Sequence, residues 1–386
     1  MDINFIGRDI NYSISFSSLL VGKNLEHLKI PLTHIQSATH DFSTKYRILD
    51  STAGYAFYRA ELEHYDKENP SSKRHDIVFI KRYPSGNKLF GEKQFLTELE
   101  ILSCGVKHPN IVNLLGFCFE ESEMILVIDN FSNGFLGLYL RNLKDKRVLT
   151  WEKRLKICID VANALKYIHS EMEDQKMIIN RDIRSYNIGL DENFGTKIVD
   201  FWWSVFQSPD QENKDHHLIG VGRTCYRDPE YEKTHKLKKE SDVYGFGVVL
   251  FEILCGRLAD DPIYLKGSER GLAPVARRSF STGSLEELID PIIKEEVGEN
   301  GFVLNRGPNK DSLHMFITIA HQCVAETQDQ RPTMKVVVKE LEKALFFQVS
   351  YCFKFSFTTP RSNLCDGSLL YRKQIRMPYE VGFKLY

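Results

Sequence analysis

Eight consecutive residues, Asn180-Arg181-Asp182-Ile183-Arg184-Ser185-Tyr186-Asn187, constrain this chain more than any other stretch, together with Asp200-Phe201-Trp202 beyond a short glycine-containing segment. Singly, an aspartate or asparagine reads as a helix cap or turn residue. As an ordered series of acid, amide and acid, with strand patterns upstream and helical ones on both sides, they ask for one fold that uses them together. The 386 residues, 42% hydrophobic and 27% charged, suffice for one two-lobed domain or two modest ones and exclude disorder throughout. Because 51 basic and 52 acidic side chains nearly cancel, no global field draws the chain to nucleic acid or an anionic membrane, and partners must be recognised locally. Eight cysteines without a C-x-x-C pair argue against a zinc ribbon or a secreted disulfide framework and for a reducing cytosol.

Residues 1–29 are expected to form an N-terminal segment of weak periodicity; Met1 to Tyr12 lack the charged-then-apolar order of a secretory signal, and with Asp2 in second place N-myristoylation is not expected. Runs at Ala56–Leu62, Ile77–Lys81 and Met124–Ile128 predict strands, with Tyr65–His75 as a polar loop. Phe95, Leu96, Leu99 and Leu102 stand at helical spacing within Glu92–Leu102, which predicts one helix packed on that sheet. From Trp151 the character changes: Leu155, Cys158, Val161, Ala162, Leu165 and Ile168 recur at three- and four-residue steps, predicting an amphipathic helix of about five turns. Ser284 with Glu287 predicts a capping box, Leu313–Cys323 a helix, and Lys294–Asp311 a polar loop. Tyr244–Cys255 is the most apolar stretch; it is far shorter than the roughly 20 residues a bilayer span needs, and reads as a core helix. Past Phe347, Tyr351, Phe353, Phe355 and Phe357 alternate with Cys352, Lys354, Ser356 and Thr358, a period of two that predicts a strand.

The opening run resembles the protein-kinase catalytic loop H-R-D-x-K-x-x-N, and Asp200-Phe201-Trp202 resembles the magnesium triplet D-F-G. Ile77-Val78-Phe79-Ile80-Lys81 is similar to the V-A-I-K strand, and Phe95-Leu96-Thr97-Glu98-Leu99-Glu100-Ile101-Leu102 to the phrase F-x-x-E-I-E-x-L of plant receptor-like kinases. Domains of that class often open on a phrase like Ala38-Thr39-His40-Asp41-Phe42-Ser43. The resemblance covers about residues 30–347 and leaves 348–386 as a C-terminal extension. It implies an α+β, bilobal protein-kinase-like fold, with a small β-rich N-lobe over about 30–130 and a larger helical C-lobe over about 131–347.

What the family does then attaches to matching positions. Lys81 would hold the α- and β-phosphates of ATP with Glu98 as its partner, a buried lysine without a carboxylate being costly. Asp182 would serve as general base, largely by orienting the hydroxyl, since a carboxylate near pKa ~4 is a weak base at neutral pH. Asn187 and Asp200 would hold Mg2+. Arg184 replaces the lysine that reaches the γ-phosphate, keeping its charge as a planar fork. Phe57, Ile128 and Asn130, the last in the hinge Asp129-Asn130-Phe131, would border the nucleotide. Glu230 and Arg331 match a lobe-stabilising ion pair, and Asp242 matches the aspartate beneath the catalytic loop.

Departures concentrate around the phosphates. Aligning Phe57-Tyr58-Arg59-Ala60 with the family's V-Y-K-G puts Asp50, Thr52 and Tyr55 where the three glycines of G-x-G-x-x-G belong. Glycine there admits backbone N–H groups to the phosphates and takes up dihedrals that cost other residues on the order of 1 kcal/mol. Asp50 adds a carboxylate beside an anionic ligand, and ~3 kcal/mol of combined loss would weaken nucleotide binding about a hundredfold or more. Trp202 replaces the D-F-G glycine, and Arg223 displaces the threonine that faces the catalytic aspartate. Two readings follow. One is a receptor-like cytoplasmic Ser/Thr kinase using ATP and Mg2+, without ectodomain or span and with impaired transfer to protein hydroxyls. The other is a catalytically inactive pseudokinase, a scaffold or adaptor that binds kinases or immune receptors. Both imply protein partners in a signalling complex, no nucleic acid, no transmembrane segment, and the cytoplasm, with the plasma membrane reached through a partner.

Overall fold

The computed structural model describes residues 25–50, 54–65, 73–83, 88–142, 148–173, 176–207, 223–266, 270–294 and 308–356. Helix α1 (Leu32–Thr39) precedes a five-stranded antiparallel sheet built from β1 (Arg47–Asp50), β2 (Ala56–Tyr65), β3 (Lys73–Arg82), β4 (Leu114–Glu120) and β5 (Glu123–Ile128) in the order β1-β2-β3-β5-β4. Side chains alternate between its faces. Tyr58, Ala60, Val78 and Ile80 point outward into a small core with Ile30, Leu32 and Ile35 of the α1 region. Phe57, Phe79 and Leu126 point inward and join the main core, which continues into the second lobe. Helix α2 (Lys88–Ser103) lies between β3 and β4 in sequence and carries Glu98.

One expectation about the sheet is corrected, and one strand was not expected. Strands β2 and β3 pair from Ala56↔Arg82 to Tyr65↔Lys73, so Tyr65, Lys73, Arg74 and His75 lie in a ladder and not in the expected polar loop, whose remainder, 66–72, falls outside the described residues. Strand β4 had no alternation to reveal it: both its faces are largely buried, which removes the polar half of the period. Gly116 sits at a register shift in β4, and a Cβ there would collide with the Ile30 side chain where Ile30 N–H donates to Phe117 O at 2.9 Å.

The helical lobe comprises α3 (Leu136–Arg141), α4 (Trp151–Ser170), α5 (Pro229–Thr234), α6 (Glu240–Cys255), α7 (Leu272–Thr282), α8 (Pro291–Lys294), α9 (Lys310–Cys323) and α10 (Met334–Ser356). Two short ladders, β6 (Met177–Ile179) with β9 (Val205–Gln207) and β7 (Ile188–Leu190) with β8 (Thr196–Ile198), hold the loops between α4 and α5 in place. Thr150 caps α4 by accepting Lys153 N–H at 3.3 Å. Helix α6 is buried almost throughout, as a core helix must be.

Elsewhere the helical lobe departs from expectation. The aromatic alternation from Tyr351 belongs to α10 through Ser356, not to a strand; extending a packed helix adds one hydrogen bond per residue fixed, whereas a lone strand would need a sheet to join. Ser284 makes no side-chain capping bond, its φ of −99° and ψ of 13° lying outside the extended capping geometry, and its hydroxyl pairs with Thr282 at 2.9 Å. Arg331 forms its buried ion pair with Asp228 at 2.6 Å and not with Glu230, whose carboxylate accepts the Gln328 N–H at 2.5 Å. Asp228 is the N-cap of α5, accepting Glu230 N–H at 2.9 Å, so its short side chain already faces the interior. The expected polar loop before α9 falls mostly outside the described residues.

Candidate functional site

Asp242, from the first turn of α6, fixes the floor of the site. One of its carboxylate oxygens accepts Arg181 N–H at 2.7 Å, and the other accepts Asn180 N–H at 2.8 Å beside His169 Nε2 at 2.9 Å. Arg181 takes a φ of 72° there, a left-handed conformation that two amides aimed at one buried acceptor can hold. Asn180, at the family's histidine position, donates to Asp200 O at 2.7 Å and accepts Asp182 N–H at 3.1 Å, so its amide ties the two acidic loops together.

Lys81, Glu98 and Asp200 meet behind that floor. The Lys81 ammonium lies 2.6 Å from Glu98 Oε2 and 3.1 Å from Asp200 Oδ1, and all three side chains are buried. Burial pulls the lysine toward its neutral form, but Asp200 and Glu98 outweigh it and hold its pKa above the ordinary value. Burial, reinforced by Asp200, pushes Glu98 up to about 7 against the pull of Lys81. The Tyr83 hydroxyl also donates to Glu98.

Tyr55, the third missing glycine, completes this cluster. It is 3% exposed, its hydroxyl donates to the second oxygen of Asp200 at 2.8 Å, and its ring centroid lies 4.5 Å from the Lys81 ammonium. Trp202 meets the Tyr55 ring edge-on at 4.9 Å, while Tyr83 and Phe57 stand 5.1 and 5.8 Å from the same ammonium. Both oxygens of Asp200 and the cation of Lys81 are therefore engaged by the protein's own side chains.

Against the hinge, aromatic rings fill the adjoining space. Phe79 occupies the alanine position of the V-A-I-K strand and stacks on Phe131 with centroids 3.8 Å apart and planes 26° apart. Phe57 and Phe135 close the group, with Phe57 5.3 Å from Phe135 and 6.3 Å from Phe131. Gly189 in β7 makes room for it, since a Cβ there would lie 2.8 Å from Phe131 Cγ. Phe79 and Gly189 were not singled out from sequence; a phenylalanine at an alanine position of a recognised strand was the available signal.

The remaining candidates fall in different places. Asp182 accepts Arg184 Nε at 3.1 Å and Asn187 Nδ2 at 2.9 Å, and burial raises its pKa against the pull of Arg184. Asn187 thus faces Asp182, and its other bond from Nδ2, also 2.9 Å, runs to the Asp182 carbonyl. Ile128 is a core residue paired with Phe79 across the sheet, and Asn130 Oδ1 is buried without a hydrogen-bond partner among the described residues. Asp50 sits at the exposed end of β1 in an ion pair with Arg47, and lines the same cleft as Tyr55, Arg184 and Asn187. Thr52 lies outside the described residues.

A β-sheet lobe and a helical lobe enclosing a Lys-Glu-Asp cluster above an Asp-x-x-x-x-Asn loop define the fold of a protein kinase. The sequence profile of protein tyrosine and serine/threonine kinases matches residues 56–341, and the chain belongs to that family, as a plant receptor-like Ser/Thr kinase domain. A probable receptor-like protein kinase of Arabidopsis thaliana is 38% identical over 324 residues, 83% of this chain and 35% of that protein. The receptor-like protein kinase HERK 1 of the same plant is 35% identical over 322 residues, again 83% and 35%. For the receptor-like protein kinase ANXUR2, identity is 38% over 258 residues, 67% of this chain and 28% of the relative. The chain spans about a third of the length of the curated relatives it matches. Kinases of this family generally use ATP and Mg2+. No helix among the described residues is long and apolar enough to cross a membrane.

Proposed function

We propose that this chain is a pseudokinase of the receptor-like class, a folded scaffold that works in the cytoplasm by binding signalling proteins and does not transfer phosphate. The observation that carries this is the double plug: the Tyr55 hydroxyl on Asp200 at 2.8 Å where phosphates and Mg2+ would sit, and the Phe79–Phe131 stack at 3.8 Å where a hinge-bound adenine would sit. Residues arranged in this way do not fit ATP, because its base and its phosphates each meet a ring already buried in the core. The rival reading, a slow kinase, draws on the 2.6 Å Lys81–Glu98 bond. Burial alone demands that bond, since a dry lysine needs its carboxylate whatever the site does.

The test is the shift in unfolding temperature with ATP, with and without Mg2+, for the natural chain and for Tyr55→Gly/Phe79→Ala. A ligand a hundredfold over its Kd adds ~2.7 kcal/mol to stability. The natural chain should show no shift at millimolar ATP. A Mg2+-dependent shift that Lys81→Met abolishes would overturn the proposal.

A further inference from the structure

Outside the plug lies a cleft of about 580 Å³ between the lobes, lined among others by Tyr55, Arg141, Arg184, Asn187, Arg223 and Arg257. We propose that this cleft binds a phosphorylated side chain presented by a partner peptide, a proposal that rests on the scaffold reading and names the partner's chemistry.

Arg184 is the central cation of the cleft. It is 7% exposed, and its one hydrogen bond among the described residues runs from Nε to Asp182 at 3.1 Å. The two terminal nitrogens of its fork are left unpaired there, on a side chain that lines the cleft. In the family this position carries the lysine that meets the γ-phosphate. With Tyr55 and Phe79 in the nucleotide's place, a phosphoryl group on a peptide can meet the cation from the open side.

The surrounding charges are arranged to the same end. Each aspartate of the lining has its own arginine: Asp50 has Arg47, Asp260 has Arg223 at 2.6 Å, and Asp261 has Arg257 at 3.2 Å. Arg141 has no ion pair among the described residues and stands as the surplus cation. The Arg223 and Arg257 pairs are partly exposed, 37% and 51% on the arginine side. Such pairs contribute only about 0–1 kcal/mol, so the Arg257 guanidinium can turn to a phosphate at little cost. Every cation of the lining is an arginine, whose planar fork meets phosphate oxygens in pairs where a lysine meets them singly. The volume suits a phosphorylated side chain with a little flanking peptide, sites for small ligands running from about 300 to 1,000 Å³.

The experiment is fluorescence polarisation of the full chain with short, labelled, degenerate peptide pools carrying a central phosphoserine, phosphotyrosine or unmodified serine, with inorganic phosphate as competitor. Phosphorylated pools should bind and the unmodified pool should not. Arg184→Ala should weaken binding by about a hundredfold, the cost of removing one side of a buried charged contact, and Arg184→Lys by about tenfold. Exposed Arg141→Ala should weaken it about threefold with the fold untouched, which keeps the test decisive even if Arg184→Ala fails to fold. Equal binding of phosphorylated and unmodified pools overturns the proposal. So does unchanged affinity in both Arg184→Lys and Arg141→Ala, and so does binding of inorganic phosphate without phosphopeptide. ATP binding by the same preparation would instead overturn the scaffold reading, so the two failures are told apart.

Discussion

Truncating Phe79 is the sharpest test of whether the aromatic plug is core or lid. The side chain is 1% exposed, stacks on Phe131 at 3.8 Å and meets Phe57 edge-on at 6.2 Å. A buried Phe→Ala change costs about 3–5 kcal/mol from lost transfer energy and the cavity left behind, and the stacked pair accounts for ~0.5–1.5 kcal/mol of that. Urea unfolding of Phe79→Ala, followed by circular dichroism, should move the midpoint by that amount with the slope unchanged. The void would be flat, apolar and beside the hinge, so adenosine should fill it. At a hundredfold over its Kd adenosine returns ~2.7 kcal/mol to the variant and nothing to the natural chain. A loss below about 1 kcal/mol would mean that the ring is a lid folded over open space and not core. Equal stabilisation of both proteins by adenosine would mean that the adenine space was never blocked; either result refutes the reasoning.

Tyr55→Phe removes one buried hydrogen bond to a carboxylate and should cost about 1.5–3 kcal/mol in urea unfolding; no loss would remove Tyr55 from the cluster. Gly189→Ala places a Cβ 2.8 Å from Phe131 Cγ and 3.0 Å from Val199 Cγ1, which should destabilise by about 1–3 kcal/mol; because it acts through Phe131, its effect should shrink in a Phe131→Leu background, read as a double-mutant cycle. Burial pushes Glu252 up to about 7, even though it accepts the Tyr226 hydroxyl at 2.5 Å and Ala259 N–H at 2.7 Å. The folded state then holds that proton more tightly than the unfolded one, so the contribution is complete below the ordinary carboxylate pKa near 4.5 and is lost as pH rises to about 7. Glu98 adds to the slope in the same window. Stability should therefore decline across it, and Glu252→Gln should flatten the decline by up to ~3 kcal/mol, measured as urea midpoints at a series of pH values.

Much of this was written in the sequence, and what was not has physical causes. Lys81, Glu98, Asp182 and Asp200 were legible because charged residues in a fixed order are rare outside the chemistry that orders them. The inward and outward alternation of β2 and β3 was legible in part, over the stretches where polar and apolar residues alternate. Strand β4 was hidden because both its faces are buried. The Asp228–Arg331 pair was misassigned to Glu230 because two acids two residues apart at a helix start are equivalent in a pattern, and only the packing chooses which one faces inward. The plug itself was half visible: the loss of three glycines was plain, but nothing in the string says that the residue replacing the last one folds inward onto Asp200.

That inward fold changes what the retained charges mean. Keeping Lys81, Glu98 and Asp200 while losing the glycines looks contradictory if charge is kept for catalysis alone. Inside this cluster the contradiction dissolves, because each group is the others' solvent. Lys81 and Glu98 are 0% exposed and Asp200 2%, and removing one member would leave the rest buried and unpaired at a cost of about 3–5 kcal/mol. Tyr55 and Tyr83 deepen the trap by giving the carboxylates hydroxyl donors that water would otherwise supply. Once such rings have closed over the site, the charged triad is held by the stability of the fold itself. In this chain the retention of Lys81, Glu98 and Asp200 is accounted for by their mutual burial before catalysis is invoked.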